Sequence, residues 1–153
     1  MRELIIGIDS GTQSTKALVV DAKNGKAASH SNPKTWASFG KAKAYHESHS
    51  KSAGIGFVFS AGDPYVGIDL DNCRNLETGK IATWALELIQ LANTYSEVSP
   101  SGKGVKLWIK GRMPDDKGKR NDHYQTGGIE MYPHHRFFTV TGQHLNDTPL
   151  EIA

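Results

Sequence analysis

The alternation of apolar and polar positions predicts a domain built mainly from short strands. Residues 55–59 alternate large apolar with smaller side chains, and residues 66–70 alternate again after a turn-forming segment, Ala61-Gly62-Asp63-Pro64. A period of two is typical of β-strands, and Gly and Pro are typical of the turns that join them. We therefore expect a β-hairpin over residues 54–73.

Similar apolar segments predict further strands. We expect a hairpin within residues 1–21 and a second one over residues 95–110, around a Gly/Ser turn. Strands at 128–132 and 136–141 are joined by the turn Pro133-His134-His135, and residues 111–126 are expected to form a polar loop. These segments predict a mixed or antiparallel sheet.

Two segments have helical features. Asn32 as N-cap and Pro33 at the first helical position predict a helix that runs through about residue 42. Apolar residues with a period of 3.6 predict a second helix over 81–93 that packs one face on the sheet. His46 and His49 near the end of the first helix fit either a solvated helix end or metal ligands, and no third ligand follows nearby. The predicted fold class is α+β, a mixed or antiparallel sheet with flanking helices.

Composition narrows the class of protein. The chain has 153 residues, of which 37% are hydrophobic and 22% charged, as expected for one soluble globular unit. A net charge of +2 is too small to indicate nucleic-acid binding by itself. No apolar run approaches the ~18 residues of a membrane span. The single cysteine, Cys73, excludes an internal disulfide and favours a cytoplasmic location.

The principal chemical signal is a pair of carboxylates within a strand. Asp69 and Asp71 are two residues apart, so both point to the same face. Like charges so placed repel unless a cation lies between them, and Glu130, alone in an apolar strand, is a candidate third ligand. Carboxylate oxygens favour Mg²⁺ or Mn²⁺, which support displacement at phosphorus. Alternatively, the two aspartates end the strand and cap the following loop.

Two further segments have both a functional and a simpler interpretation. The turn at residues 99–104 could accept phosphate through backbone amides, with Lys103 beside it, or be an ordinary hairpin turn. The basic residues of 111–126 could hold phosphates beside an acidic metal centre, or belong to a solvated loop.

The first hairpin resembles that of another family. The segment Asp9-Ser10-Gly11-Thr12-Gln13-Ser14-Thr15-Lys16 resembles the N-terminal phosphate-binding hairpin of carbohydrate kinases related to xylulokinase and glycerol kinase. The resemblance covers about 20 to 25 residues, and nothing later in the chain is similar to the rest of those kinases.

From about Gly25 to Glu151, the chain resembles the primase-polymerase domain of the archaeo-eukaryotic primase superfamily, found in phage and plasmid primase-helicases. The matching stretches, in order, are Asn32–Phe39, Gly54–Phe59, Val66–Cys73, Tyr95–Gly104 and Arg136–Gly142. The resemblance implies a primase-polymerase-like catalytic core that adds nucleotides on a nucleic-acid template.

The resemblance also implies site residues. The family's first motif, Asp-x-Asp, falls on Asp69 and Asp71, and its third, a carboxylate in an apolar strand, falls on Glu130. These residues are the predicted catalytic and metal ligands, with Mg²⁺ or Mn²⁺ as cofactor. Lys106 stands where the second motif often has His. The predicted nucleotide-binding residues are Ser99, Ser101, Gly102, Lys103, Gly104, Lys106 and Arg136, and the predicted nucleic-acid contacts are Lys110, Arg112, Lys117, Lys119 and Arg120.

These interpretations predict a chain organised in two parts. Residues 1–24 form a kinase-like hairpin in place of the family's usual first strands, as in a natural or artificial fusion, and residues 25–153 form the catalytic domain of one globular unit. The expected partners are nucleoside triphosphates, a DNA template and primer, and a replicative helicase in trans, with no membrane. The alternative functions are a catalytically defective module that binds nucleotide or nucleic acid, and a carbohydrate-kinase fragment.

Overall fold

The computed structural model describes residues 3–9, 17–20, 29–49, 54–62 and 64–153. Among these residues two α-helices accompany antiparallel sheets, which confirms the α+β class. The chain divides into two compact units, Met1–Val58 with His135–Val140 and Phe59–His134 with Thr141–Ala153. The elements are β1 (Glu3–Asp9), β2 (Ala17–Val20), β3 (Ala37–Ser38), α1 (Phe39–Ser48), β4 (Gly54–Phe59), β5 (Tyr65–Asp71), α2 (Thr83–Ala92), β6 (Ser96–Val98), β7 (Val105–Lys110), β8 (Lys119–Tyr124), β9 (Gly127–Tyr132) and β10 (Arg136–Val140).

In the first unit, the predicted N-terminal hairpin is part of a larger sheet. Strand β1 pairs with β2, with Ile6 opposite Val20, and its other edge pairs with β4, with Ile6 opposite Ile55. Strand β10 lies on the far side of β4. Residues 10–16 of the kinase-like segment and the proposed junction near residue 24 lie outside the described residues, whereas Asp9 ends β1. The fusion and the domain boundary therefore stay predictions.

The prediction of one helix from Pro33 was wrong. Asn32 accepts a hydrogen bond from the Lys34 amide at 3.2 Å, as expected of a cap, but only a short 3-10 helix follows, Pro33–Thr35. Ala37 and Ser38 then pair with β1, which requires extended backbone, and α1 begins at Phe39. His49 Nδ1 lies 2.9 Å from the Tyr45 carbonyl oxygen, so His49 closes the exposed end of α1.

The second unit contains a sheet covered on one face by a helix. Its described strands have the order β6-β7-β5-β9-β8, so β5 is central. Helix α2 confirms the predicted helix and buries Ala85 and Ile89 against Leu70, Val105 and Leu107 of the sheet. The predicted hairpin of β6 and β7 is also confirmed, with Val98 opposite Val105.

Two predicted hairpins were wrong because their strands pair with distant partners, and one predicted loop was wrong because it contains a strand. Strands β4 and β5 form no hairpin, since both edges of β5 are taken by β7 and β9. For the same reason β9 forms no hairpin with β10, because its edges are occupied by β5 and β8. The polar loop predicted at 111–126 contains β8, whose side chains are almost all exposed and therefore gave no apolar periodicity.

Candidate active site

Charged residues form a row across the described strands of the second sheet. In sheet order they are Glu97 (β6), Lys106 (β7), Asp69 (β5), Glu130 (β9) and Arg120 (β8), each directly opposite the next. Directly opposite residues of antiparallel strands point to the same face. Leu70 and Leu107, the next residues along their strands, belong to the core beneath α2. The charged row therefore lies on the sheet face away from α2.

Asp69 is at the centre of this row and is mostly buried. Its Oδ2 atom contacts Lys106 Nζ, and the two side chains are only 15% and 12% exposed. Its Oδ1 atom is also buried and has no hydrogen-bond partner among the described residues. A buried carboxylate oxygen without a partner is energetically costly, because it has lost its hydration. Asp69 can therefore accept an additional donor or a cation.

Glu130 is directly opposite Asp69 on the neighbouring strand. Its Oε1 atom lies 3.0 Å from Arg120 Nε, and its Oε2 atom accepts a hydrogen bond from the Tyr132 hydroxyl. Arg120 is 60% exposed and also contacts Asp122. Glu130 is thus held on one side by a neighbour in its own strand and on the other by a solvent-exposed arginine.

Asp71 shares the electrostatic environment of the other two carboxylates. It ends β5, with Gly128 opposite it, and faces the same side as Asp69. Partial burial, followed by the negative charges of Asp69 and Glu130, raises the pKa of Asp71 above its usual value, while Lys106 and Arg120 oppose that rise. The fold therefore brings Asp71 close enough to Asp69 and Glu130 for their negative charges to act on it.

The fit of this cluster to a divalent metal depends on its donors. Asp69, Asp71 and Glu130 supply the carboxylate oxygens that Mg²⁺ and Mn²⁺ favour, and Asp69 Oδ1 needs a partner. In the present side-chain positions, however, no three His, Cys, Asp or Glu side chains of the described residues form a group that could hold a metal. Lys106 and Arg120 instead contact two of the carboxylates. The donor chemistry fits, and the ligand set stays a prediction.

The Ser99–Gly104 turn is closed by its own hydrogen bonds. The amides of Gly102 and Gly104 donate to the Ser99 carbonyl oxygen at 2.8 Å and to Ser99 Oγ at 3.0 Å. The Lys103 amide lies 3.3 Å from Ser101 Oγ. These amides are therefore already engaged, and the exposed Lys103 side chain is the group that the turn offers most directly to an anion.

Sequence reasoning missed Arg74, which connects this turn to the loop after β5. Its Nη1 atom donates to the Gly102 carbonyl oxygen and its amide to the Lys103 carbonyl oxygen, both at 2.9 Å. Gly102 has a φ of +72°, a conformation that favours glycine. Arg74 follows Asp71 by three residues. One segment therefore carries a predicted metal ligand and an arginine that holds the predicted nucleotide-binding turn in place by hydrogen bonds. An arginine in a polar loop gives no sequence signal for this role.

Glu97 is a second residue that sequence reasoning left without a role. It is fully buried, and its carboxylate accepts hydrogen bonds from the Tyr95 hydroxyl at 2.5 Å, the Thr141 amide at 2.7 Å and the Gly142 amide at 3.2 Å. Glu97 therefore fixes the segment after residue 140 against β6. The one sequence feature that could have drawn attention to Glu97 is the presence of a glutamate within a short strand.

The predicted nucleic-acid contacts form no isolated basic patch. They are exposed, and Lys119 pairs with Asp115, while Arg120 pairs with Asp122 and Glu130. Lys110 ends β7, and Arg112 and Lys117 lie in the segment that precedes β8. Arg136 begins β10 and belongs to the first unit, whereas the other predicted site residues belong to the second.

Comparison with known proteins identifies the class to which this α+β chain belongs. Residues 59–152 match the family model described as BT4734-like, N-terminal domain, and the chain belongs to that family. All predicted site residues lie within the matched range. None of the described helices is long and apolar enough to cross a membrane.

A relationship to primase-polymerases is also found. The chain is 32% identical over 120 residues to a protein of Nitratiruptor phage NrS-1 named DNA Primase-polymerase. The aligned region covers 78% of this chain but only 17% of the phage protein. The chain is therefore primase-polymerase-like and corresponds to a small part of that larger relative.

Proposed function

We propose that this chain performs metal-dependent nucleotidyl transfer as the core of a DNA primase-polymerase. The observation that carries the proposal is the position of Asp69 directly opposite Glu130, with Asp71 two residues further on the same face. The unpartnered Oδ1 atom of Asp69 supports it, because a buried oxygen without a donor is suited to a cation. The similarity to the phage primase-polymerase supports the reaction class.

In this proposal Asp69, Asp71 and Glu130 would hold Mg²⁺ or Mn²⁺, which would stabilise the charge that develops on the attacking and leaving oxygens. The 3′ oxygen of a primer forms a bond to the α-phosphorus of a nucleoside triphosphate. The bond from that phosphorus to the bridging oxygen breaks, and pyrophosphate leaves with the electron pair. The proton of the 3′ hydroxyl passes to solvent.

The cations around the carboxylates have complementary proposed roles. Lys106 and Lys103 act as point charges for the triphosphate, with the hydroxyls of Ser99 and Ser101 beside them. Arg136 is a further proposed triphosphate contact. Lys110, Arg112, Lys117, Lys119 and Arg120 are proposed contacts for template and primer phosphates, with a salt-dependent contribution. A replicative helicase in trans stays a proposed partner.

Primer extension on a DNA template with Mn²⁺ or Mg²⁺ tests this function in the 153-residue chain. We expect the double variant Asp69→Ala, Asp71→Ala to lose extension by at least about 100-fold, because the metal would lose two ligands. Glu87→Gln, an exposed carboxylate on α2, is the matched control and should extend like the wild type. Undiminished extension by a folded double variant would contradict the proposal.

A catalytically inactive binding module is the second candidate. The observation in its favour is that Lys106 and Arg120 already neutralise Asp69 and Glu130. It predicts binding of a DNA primer-template whose affinity falls steeply with salt, without nucleotide incorporation at any Mn²⁺ concentration. Measuring binding and extension on the same sample separates the two candidates.

A further inference from the structure

Lys106 lies between two carboxylates of the charged row, and its ammonium contacts Asp69. Glu97 and Asp69 lie directly opposite Lys106 on its two sides. The Glu97 oxygens accept hydrogen bonds from Tyr95, Thr141 and Gly142, whereas Lys106 Nζ contacts Asp69 Oδ2. The ammonium of Lys106 therefore provides the positive charge next to the central carboxylate.

This ion pair is largely hidden from water. The side chains of Lys106 and Asp69 are 12% and 15% exposed, so the Lys106 ammonium compensates a carboxylate that has lost most of its hydration. A divalent cation at Asp69 would take over the role of counter-charge and would repel the ammonium at the same oxygen. The triphosphate of the nucleotide in the proposed reaction is an anion to which the displaced ammonium can move.

We propose that Lys106 couples divalent-metal binding to nucleotide binding at this site. It neutralises Asp69 while the metal is absent, and it moves to the triphosphate when the metal binds. This inference rests on the proposed function. Because coupling between two ligands is reciprocal, metal raises nucleotide affinity and nucleotide raises metal affinity through the same lysine.

The first test measures Mn²⁺ alone, without nucleotide, by titration calorimetry or by the electron paramagnetic resonance of free Mn²⁺. Lys106→Gln removes the competing ammonium, so we expect it to bind Mn²⁺ at least about 5-fold more tightly than the wild type. Lys80→Gln removes an exposed lysine outside the site and should leave the affinity unchanged. Asp69→Asn should abolish Mn²⁺ binding both in the otherwise wild-type chain and in Lys106→Gln.

The second test measures the coupling. The affinity for a deoxynucleoside triphosphate analogue with an imido group between the α- and β-phosphates is compared with and without saturating Mn²⁺. The analogue itself chelates Mn²⁺ equally in all experiments. A difference between variants in the gain of affinity on adding Mn²⁺ therefore comes from the protein. We expect the gain in affinity on adding Mn²⁺ to be at least about 5-fold smaller in Lys106→Gln than in the wild type or Lys80→Gln.

Lys106→Arg keeps the positive charge, so it provides a second measurement if Lys106→Gln does not fold. Its guanidinium should stay paired with Asp69, so its Mn²⁺ affinity should not exceed that of the wild type. Tighter Mn²⁺ binding by Lys106→Arg, or unchanged binding by a folded Lys106→Gln, would overturn the inference while leaving the proposed metal site intact. Failure of the wild type to bind Mn²⁺ would overturn both.

Discussion

Asp69 on β5 and Glu130 on β9 lie directly opposite each other, and each carboxylate contacts a different cation, Lys106 for Asp69 and Arg120 for Glu130. The two carboxylates thus face one another, each in contact with a cation from a different strand. Such an arrangement costs electrostatic energy that a bound divalent cation would relieve. Substitutions at this site, and in the segments that support it, should therefore have distinct and measurable effects.

Glu130→Gln tests whether the carboxylate opposite Asp69 is needed for chemistry. We expect primer extension to fall by at least about 100-fold, because the metal would exchange a negatively charged carboxylate ligand for a neutral amide. Asp122→Asn is the matched control, since Asp122 is exposed and also contacts Arg120. Its extension rate should equal that of the wild type. Equal rates for the two variants, at equal melting temperature, would remove Glu130 from the proposed site.

Arg74→Ala tests the hydrogen bonds by which Arg74 positions the predicted nucleotide-binding turn. Loss of the 2.9 Å bond to the Gly102 carbonyl oxygen should raise the KM for nucleotide by about 10-fold and change kcat less. Arg74→Lys should restore part of the affinity, because its ammonium can donate to the same carbonyl. Steady-state primer extension gives both constants. A fall in kcat with an unchanged KM would contradict a positioning role.

Gly104→Ala tests the close approach of the turn to β5. A Cβ atom at Gly104 would lie 2.6 Å from the Leu70 carbonyl oxygen, which is backbone and cannot move aside independently. We expect the free energy of unfolding in urea to fall by about 1–3 kcal/mol. Gly111→Ala is the control, because a Cβ atom added there would meet none of the described residues within 4 Å. Equal stabilities of the two variants would be inconsistent with this contact.

Tyr95→Phe tests the hydrogen bond to buried Glu97 through its pH dependence. Burial, then the hydrogen bond to Glu97 and its negative charge, raise the pKa of Tyr95 above its ordinary value of 10.0. The folded state therefore favours the neutral phenol, and the resulting stability is complete below the unfolded pKa and is lost as pH rises above it. Urea unfolding should show a wild-type advantage over Tyr95→Phe that shrinks above about pH 10. If the stability difference between the wild type and Tyr95→Phe stayed constant or grew above that pH, the hydrogen bond from the neutral Tyr95 phenol to Glu97 would be contradicted.

The sequence predicted elements better than it predicted their partners. The period of α2 and the alternation of β5 and β7 are local, so the helix and these strands were confirmed. The hairpin of β4 with β5 was wrong because pairing depends on which edges distant strands occupy, and β7 and β9 hold both edges of β5. No local pattern contains that information.

The same distinction applies to the candidate site. Asp69 and Asp71 share a face because they are two residues apart, a relationship that the sequence contains. That Glu130 and Lys106 lie opposite Asp69 depends on the register of three strands, which periodicity does not determine. Arg74 and Glu97 act through contacts with residues 28 and 44 positions away, and sequence inspection assigned them no role.

The central place of β5 links the geometry of the proposed site to the integrity of the fold. A slip of β5 by one residue would turn Leu70 out of the core and bring Asp69 under α2, since adjacent strand residues point to opposite faces. A chain that buries Leu70 correctly therefore also presents Asp69 and Asp71 correctly. Substitutions elsewhere can change how firmly Lys106 or Arg120 holds a carboxylate, but misplacing the aspartate pair alone would require unfolding the sheet.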